Sequence, residues 1–166
     1  MPQGEVHVFC GAYREDEFQE LLQYADHIVF NSIHQLKAFG PRGKQAGKSL
    51  GLRVNPECST QEGHAIYDPC APGSRMGVTR DVWDQEMDEA TLSLLDGIHF
   101  HTLCEQNSDD LKTTLAAVEE KFGDILPEMK WINMGAGITS PPDYDLGTWR
   151  TVSVTPAVLG GKCLPG

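Results

Sequence analysis

The chain has 166 residues, a hydrophobic content of 40% and a formal net charge of −11. This length and this hydrophobic content allow one ordinary domain with a real core, and they exclude wholesale disorder. The acidic balance argues against nucleic acid or an anionic membrane as a partner, because both need a basic surface. The charge fits a soluble protein that handles a cationic substrate, and solubility alone is the simpler explanation of it.

The cysteines are odd in number, scattered and without a CxxC pair: Cys10, Cys58, Cys70, Cys104 and Cys163. A set of this kind is typical of reduced thiols. The first residues have neither the basic start nor the apolar run of a signal peptide. No stretch approaches the roughly 18 apolar residues that a membrane span needs. Together these features predict a cytoplasmic protein.

Strand-like and helix-like segments alternate along the chain. Runs rich in β-branched and aromatic residues predict five strands, at 6–9, 27–30, 50–54, 97–102 and 131–134. Apolar residues at helical spacing predict helices between them, at 14–25, 33–39, 81–95 and 108–122. The second of these helices is expected to end at Gly40-Pro-Arg-Gly43. The long connection over 56–73 is expected to be a functional or disordered loop.

This alternation predicts a parallel sheet with helices packed outside it. Two architectures satisfy it, an open doubly wound sheet or part of a (β/α)8 barrel. Since five strands cannot close an eight-stranded barrel, the pattern alone favours the open sheet. The amphipathic pattern stops after Thr139, so we expect one domain over 1–139 and an atypical, disordered tail over 140–166.

The first candidate site is Gly135-Ala136-Gly137, directly after the last predicted strand. Small residues let backbone N–H groups approach a phosphate closely, and ligands bind at the carboxyl edge of a parallel sheet. A simple tight turn explains the same residues. The prolines that follow exclude the helix that a dinucleotide-binding fingerprint requires.

The second candidate site is the pair His99 and His101. Strand alternation places both imidazoles on one face of the sheet and Phe100 on the other. His101 lies nearer the carboxyl end, where it could stack on a flat aromatic cofactor or move protons. Adding Cys104 and His64 would give a loose metal set, but the spacing matches no standard zinc site and no metal is predicted. Histidines satisfied within the sheet are the alternative.

Three charged residues complete the candidates. Arg75 could hold a carboxylate or a phosphate, and Glu105 could meet a cationic amine. Exposed surface charge is the alternative for both. Arg53 lies in an apolar strand, where an unpaired charge is costly, so we expect an acidic partner, a ligand or a position near the strand end. No cysteine has a paired base in the sequence, and no nucleophile is assigned.

Seven segments occur together in one order and spacing: 4–8, 24–32, 52–56, 67–69, 74–77, 97–105 and 131–135. Over residues 4 to about 137 the chain resembles the carboxynorspermidine/carboxyspermidine decarboxylases, which depend on pyridoxal 5'-phosphate (PLP). The segment GIHFHTLCE at 97–105 and the pair YDP at 67–69 and SRMG at 74–77 are specific to this resemblance. The segment RVNP at 53–56 also occurs across the wider alanine-racemase and ornithine-decarboxylase group.

The resemblance replaces the open sheet with a partial PLP-binding (β/α)8 TIM-type barrel, with parallel strands and outer helices, over residues 1–139. It implies that His101 stacks on the pyridine ring of PLP. It also implies that the segment Gly135-Ala136-Gly137 belongs to the phosphate loop, although Ala136 stands where relatives have glycine and two histidines are missing before Ile138. Cys104 is expected to line the cofactor site.

The reaction implied by the resemblance is removal of CO2 from carboxynorspermidine or carboxyspermidine in polyamine biosynthesis, with PLP as electron sink. Arg75 and Glu105 are expected to bind this small-molecule polyamine precursor. Relatives act as homodimers with sites at the subunit interface. No lysine of this chain occupies the family's Schiff-base motif, so no catalytic residue is assigned and the chain is expected to be inactive alone.

Two other functions remain open. The chain could be a non-catalytic phosphate-binding or interaction module left from a truncated gene, because residues 147–166 resemble nothing in the family. It could instead be a small metal-dependent protein that uses His99, His101 and Cys104.

Overall fold

The computed structural model describes residues 4–60, 68–103, 106–135 and 162–163. The elements in these ranges are β1 (His7–Phe9), α1 (Glu15–Leu21), β2 (His27–Phe30), α2 (Ile33–Gln45), β3 (Ser49–Arg53), α3 (Arg80–Glu86), α4 (Glu89–Leu92), β4 (Gly97–His99), α5 (Ser108–Phe122), a 3-10 turn (Leu126–Glu128), β5 (Trp131–Asn133) and β6 (Lys162–Cys163). Apart from β6, the expected tail over 140–166 lies outside the described residues. None of the described helices is long and apolar enough to cross a membrane.

The six strands form one sheet in which every neighbouring pair is parallel and the spatial order follows the chain, from β1 to β6. A doubly wound sheet reverses its strand order at a switch point, whereas the strands of a (β/α)8 barrel follow one another around the barrel. The observed order is therefore that of consecutive barrel units. The partial barrel is confirmed, and the open sheet favoured by the pattern alone is wrong.

The two faces of the sheet differ in composition, and the outer face carries the core. Its side chains are fully buried and pack against apolar residues of the helices. The strands contribute Ile28, Phe30, Leu50, Leu52 and Ile98, and the helices contribute Phe18, Leu36, Leu111 and Phe122. Removing this much apolar surface from water is the main stabilisation of the sheet. Val29 and Trp131 are buried outside this cluster, on the opposite, inner face.

On the inner face, two glycines make room for the indole of Trp131. Gly51, Gly97 and Trp131 are partners in register on β3, β4 and β5. A Cβ atom at Gly51 or Gly97 would lie 2.3 or 2.2 Å from the indole. The indole Nε1 donates a hydrogen bond to Ser49 Oγ at 2.8 Å. The indole therefore lies across β3 and β4 and covers the inner face of the sheet there.

Helix α2 runs to Gln45, so the predicted end at Gly40-Pro-Arg-Gly43 is wrong. Gly40 and Gly43 are buried inside the helix, where a Cβ at Gly43 would lie 2.8 Å from Leu50 of β3. These glycines are there for close helix–sheet packing rather than for ending the helix. The packing that supports this helix through Pro41 is tertiary and is not visible in a local sequence pattern.

The single helix predicted over 81–95 is two helices, α3 and α4. The chain is extended at Met87 and Asp88, and Asp88 Oδ1 accepts a hydrogen bond from the Thr91 amide at 2.8 Å. A capping aspartate inside an apolar period is the signal for this break. The helix predicted from Ser108 is confirmed as α5, with Asn107 rather than Ser108 as its cap.

At the amino edge of the sheet, where the strands begin, a buried carboxylate joins three elements. Asp96 is 4% exposed and accepts hydrogen bonds from Lys44 of α2, from Lys130 before β5 and from the Leu50 amide of β3. Burial alone would raise the pKa of Asp96, but the hydrogen bonds from the two lysines hold it below its ordinary value. This ionised group fixes the packing of the amino edge.

Candidate active site at the carboxyl edge

Strands β1 to β5 all end at the same edge of the sheet, which is called the carboxyl edge below. In barrel enzymes the reacting groups lie at this edge, because the loops after the strands meet there. Arg53, His99 and Asn133 are the last residues of β3, β4 and β5, and they occupy one register row of the inner face. This row is the base on which the candidate site is built.

The structure brings His101 and Gly135 into contact. Gly135 has a φ of +73°, and a Cβ atom there would lie 2.6 Å from His101 Nδ1 and 2.9 Å from the Phe100 carbonyl oxygen. The Gly135 amide donates a hydrogen bond to Asn133 Oδ1 at 2.9 Å. The first glycine of the predicted phosphate loop therefore turns directly beside the imidazole that was predicted to stack on the cofactor, and only glycine fits this turn.

His99 is 7% exposed, and its Nδ1 lies 3.1 Å from the Asn133 carbonyl oxygen and 3.2 Å from Asn133 Oδ1. Burial first, and then the charge of Arg53, lower the pKa of His99 to about 4. The ring is therefore neutral at neutral pH, and Nδ1 is the donor to the carbonyl oxygen. His99 is a satisfied, buried residue that supports the site from below.

The ring of His101 lies 6.3 Å from that of His99, centroid to centroid, and Phe100 is fully buried in the core. The strand ends at His99, so the strand predicted over 97–102 is too long. The two imidazoles nevertheless lie near each other, while Phe100 packs in the core. Burial and the charge of Arg53 also lower the pKa of His101. A neutral, half-buried imidazole is suited to stacking on an aromatic ring, because it carries no charge to desolvate.

Arg53 is 5% exposed and lies at the end of β3, which is one of the three alternatives expected from the sequence. Its guanidinium donates a hydrogen bond to the His101 carbonyl oxygen at 3.0 Å and lies over the ring of Phe9, 4.9 Å from the centroid. Burial lowers its pKa. Among the residues that the structure describes, no carboxylate forms an ion pair with it. The carboxyl edge therefore holds a buried cation with hydrogen-bond donors to spare for an anion.

Arg75 is exposed, and the loop that carries it is held at the carboxyl edge by Asn31. Asn31 Nδ2 donates to the Arg75 carbonyl oxygen at 2.8 Å, and Asn31 Oδ1 accepts from the Gly77 amide at 2.9 Å. Gly77 has a φ of +84°, with the backbone of Val54 2.9 Å from the position of a Cβ. The sequence did not single out Asn31 as a site residue, and its position directly after β2 is the signal for this role.

A cavity of about 440 Å³ opens beside the end of β3, and Asn55, Glu57, Asp68, Cys70 and Ser74 are among the residues that line it. The sequence did not single out Glu57 or Asp68. Glu57 has a φ of +52° and accepts a hydrogen bond from Lys121 at 2.7 Å, while Asp68 Oδ1 accepts one from the Cys70 amide. Since Lys121 already neutralises Glu57, Asp68 is the carboxylate of this cavity better placed to hold a cationic group.

Five predicted site residues lie outside the described residues: His64, Cys104, Glu105, Ala136 and Gly137. Their roles stay predictions.

Comparisons with known proteins identify relatives of the chain. The carboxynorspermidine/carboxyspermidine decarboxylase of Campylobacter jejuni is 38% identical over 133 residues, which are 80% of this chain and 33% of that protein. The carboxyaminopropylagmatine decarboxylase of Synechocystis is 34% identical over 143 residues, which are 86% of this chain and 36% of that protein. The chain thus spans about a third of the length of the curated relatives it matches. No family model matches it.

Solved structures with a similar fold include one of the same kind of decarboxylase. The crystal structure of carboxynorspermidine decarboxylase from Campylobacter jejuni, complexed with norspermidine, superposes with a TM-score of 0.78 at 33% identity and covers 96% of this chain and 39% of that one. A diaminopimelate decarboxylase gives a TM-score of 0.67 at 17% identity, over 95% of this chain and 39% of that one, which shows the fold alone. The half-barrel is shared with decarboxylases of this fold.

Proposed function

This chain is a homologue of part of the carboxynorspermidine/carboxyspermidine decarboxylases, and from that relationship we propose that it supplies part of a PLP site for decarboxylation of carboxynorspermidine or carboxyspermidine in polyamine biosynthesis. The observation that carries the proposal is the contact between Gly135 and His101 at the carboxyl edge. This contact brings together a flat neutral ring and a glycine turn that a phosphate can approach. PLP likewise presents a phosphate and a flat ring together.

The described residues fit this cofactor. His101 would offer its ring face to the pyridine, and the turn at Gly135 would begin the phosphate loop. Ala136 and Gly137, which lie outside the described residues, would add backbone N–H groups to the phosphate. Cys104 would lie beside them. Arg53 would hold an anionic oxygen of cofactor or substrate, which would satisfy its unpaired charge. When bound, PLP accepts the electron pair left behind as CO2 departs.

The charges around the cavity suit a polyamine precursor. Its amines are protonated at neutral pH, as a lysine amine is, and each needs a carboxylate or a carbonyl oxygen. Glu57 and Asp68 line the cavity beside β3, and Glu105 would add a third carboxylate. Arg75 would take the substrate carboxylate. Among the relatives, the Campylobacter jejuni structure contains norspermidine, a molecule of this class.

Most of the described lysines are engaged with acidic side chains rather than available as a Schiff-base partner for PLP. Ion pairs hold four of them to acidic side chains: Lys37 to Asp88, Lys44 and Lys130 to Asp96, and Lys121 to Glu57. The chain is proposed to need a lysine from elsewhere and to be inactive alone. From the family relationship, it is also proposed to act in a homodimer in the cytoplasm. The engagement of these lysines also favours the second candidate, a non-catalytic phosphate-binding module.

A chimera separates the two candidates. Residues 4–135 would replace the matching segment of the Campylobacter jejuni decarboxylase, and norspermidine formation from carboxynorspermidine would be measured. The proposal expects activity in the chimera and its loss in the His101→Ala version, because the ring face is removed. A folded chimera that binds PLP but forms no norspermidine would favour the non-catalytic module.

A further inference from the structure

A second group of polar side chains lies at the amino edge of the sheet, away from the carboxyl edge. Glu5, His7 and His27 each offer one ligand atom, and these three atoms all lie within 4.8 Å of one another. His7 and His27 are partners in register at the start of β1 and β2. Glu5 Oε2 lies 3.3 Å from His27 Nε2. The sheet therefore aligns two imidazoles, and the chain before β1 adds a carboxylate.

The two imidazoles carry unsatisfied nitrogens. Their rings stack with centroids 4.0 Å apart and planes 7° apart. His27 is 9% exposed, and the Nδ1 atoms of both rings are buried without a hydrogen-bond partner among the described residues. Buried polar atoms are normally paired, because leaving one unpaired costs free energy. The Nδ1 atoms thus have no partner that fixes the ring orientation, and Nε2 of His27 faces Glu5.

The surroundings fix the indole and the backbone beside these side chains. The indole of Trp131 meets both rings edge-on, with centroids 5.5 Å from His7 and 5.4 Å from His27. The hydrogen bond from Trp131 to Ser49 fixes the indole. Asp26 Oδ2 accepts from the Val6 amide at 2.8 Å, which fixes the backbone between Glu5 and His7. Glu5 is exposed, so an ion could enter from solvent.

We propose that Glu5, His7 and His27 bind a divalent transition-metal ion such as Zn²⁺ or Ni²⁺. Two imidazoles and one carboxylate form a donor set that such ions prefer, with positions left for water. Zinc–nitrogen bonds are about 2.0–2.1 Å long, so donor atoms up to 4.8 Å apart must move closer together to share one ion. The two rings must rotate out of their stack to point their lone pairs at one ion. This site is independent of the PLP site.

Calorimetric titration of the full chain with NiCl2, and separately with ZnSO4, tests the proposal. One ion per chain is expected, and His7→Gln and Glu5→Gln should each weaken binding by about tenfold or more. His34→Gln is the matched control, because His34 is exposed on α2, and binding should not change in it. Glu5 is exposed, so Glu5→Gln is expected to keep the fold even where a buried histidine variant fails.

Thermal unfolding gives a second readout. A ligand that binds only the folded state raises the unfolding temperature. The metal should therefore raise the Tm of the wild-type chain and of His34→Gln, and it should raise that of Glu5→Gln less. Absence of saturable binding, or binding that Glu5→Gln and His7→Gln leave unchanged, would overturn the proposal. Equal weakening in His34→Gln would place the ion elsewhere and would also overturn it.

Discussion

Gly135 has a φ of +73°, and its α-carbon faces His101. An alanine at this position would therefore strain the backbone and also clash with the imidazole. Gly135→Ala should weaken PLP binding and lower the free energy of unfolding by about 1–3 kcal/mol. Gly47→Ala is the matched control, because Gly47 also has a φ of +73° but has nothing within 4 Å of its Cβ position. Binding and urea unfolding of both variants would be measured. Equal PLP affinity in the two would show that the contact with His101 does not matter.

His99 makes stability depend on pH. Its folded-state pKa of about 4 lies below the ordinary value of 6.5, so the unfolded chain takes up a proton first as the pH falls. The stability that this neutral ring contributes is present above pH 6.5 and is lost as the pH falls towards 4, by about 3 kcal/mol in total. His7 and His101, whose pKa values are also lowered, add losses of the same sign.

The variant His99→Gln removes this titration. The difference in unfolding free energy between pH 7 and pH 4.5 should be smaller in His99→Gln than in the wild-type chain, as measured by urea unfolding at both values. An unchanged difference would mean that His99 is already solvated in the folded state. The folded states would be compared by circular dichroism at pH 7.

At this scale the sequence singled out two residues that the structure brings into contact, His101 and Gly135, because a polar residue in an apolar strand and a glycine after a strand are visible locally. Their roles towards a cofactor stay predictions. The sequence also indicated that Arg53 needs a partner, but it did not identify the partner. Phe9 and the His101 carbonyl oxygen are distant from Arg53 along the chain and approach it only in the folded structure. The role of Asn31 depends on a loop 44 residues away along the chain.

Among the elements, the sheet depends on the fit of Trp131 over β3 and β4. Gly97→Ala would place a methyl group 2.2 Å from the indole. Overpacking of this kind should cost about 1–3 kcal/mol, because the ring has to move. Gly11→Ala, which has nothing within 4 Å of its Cβ position, should change stability little. Chemical unfolding of both variants checks this, and a Gly97→Ala variant as stable as Gly11→Ala would contradict the close packing.

The amino edge depends on Asp96. In Asp96→Asn, Lys44 and Lys130 lose their ionised partner, and the unfolding free energy should fall by about 3 kcal/mol. Lys130→Met should cost less than about 1 kcal/mol, since the Lys130 side chain is 76% exposed and solvent screens its charge. Urea unfolding of both variants at pH 7 gives the comparison. Similar costs for the two would show that Asp96 is not buried in solution.

Element boundaries followed the sequence where the cause is local. The strand at 27–30 and the helix ending at Phe122 are as predicted, because alternation, helical spacing and capping residues mark them. The end of α2 and the break between α3 and α4 were missed. Close packing of Gly40 and Gly43 overrides their usual role, and an aspartate cap interrupts an apolar period that otherwise continues.

For the whole molecule, the strand order decides the fold. Local patterns give five strands and their intervening helices, but they do not give the order of strands in space. Pattern alone therefore favoured the open sheet, while the resemblance gave the barrel that the structure shows. The two-residue strand β6 beside β5 had no signal in the sequence, because two residues carry no period.

The shape of the sheet suggests how the whole chain should behave. Strand β1 is an edge in the described sheet, and an unpaired edge presents backbone groups that favour association with another chain. The apparent mass is therefore expected to rise with concentration, in sedimentation analysis at pH 7. A concentration-independent monomer with a sharp reversible melt would contradict this expectation.

The most direct test of the proposed PLP site uses pyridoxamine 5'-phosphate, whose amine cannot react with surface lysines as an aldehyde would. Its binding to the full chain would be measured by calorimetry for the wild type, Gly135→Ala and Gly47→Ala. The site predicts saturable binding of one molecule per chain, weakened in Gly135→Ala and preserved in Gly47→Ala. No saturable binding, or equal affinity in all three proteins, would contradict a cofactor site formed by His101 and Gly135 at the carboxyl edge.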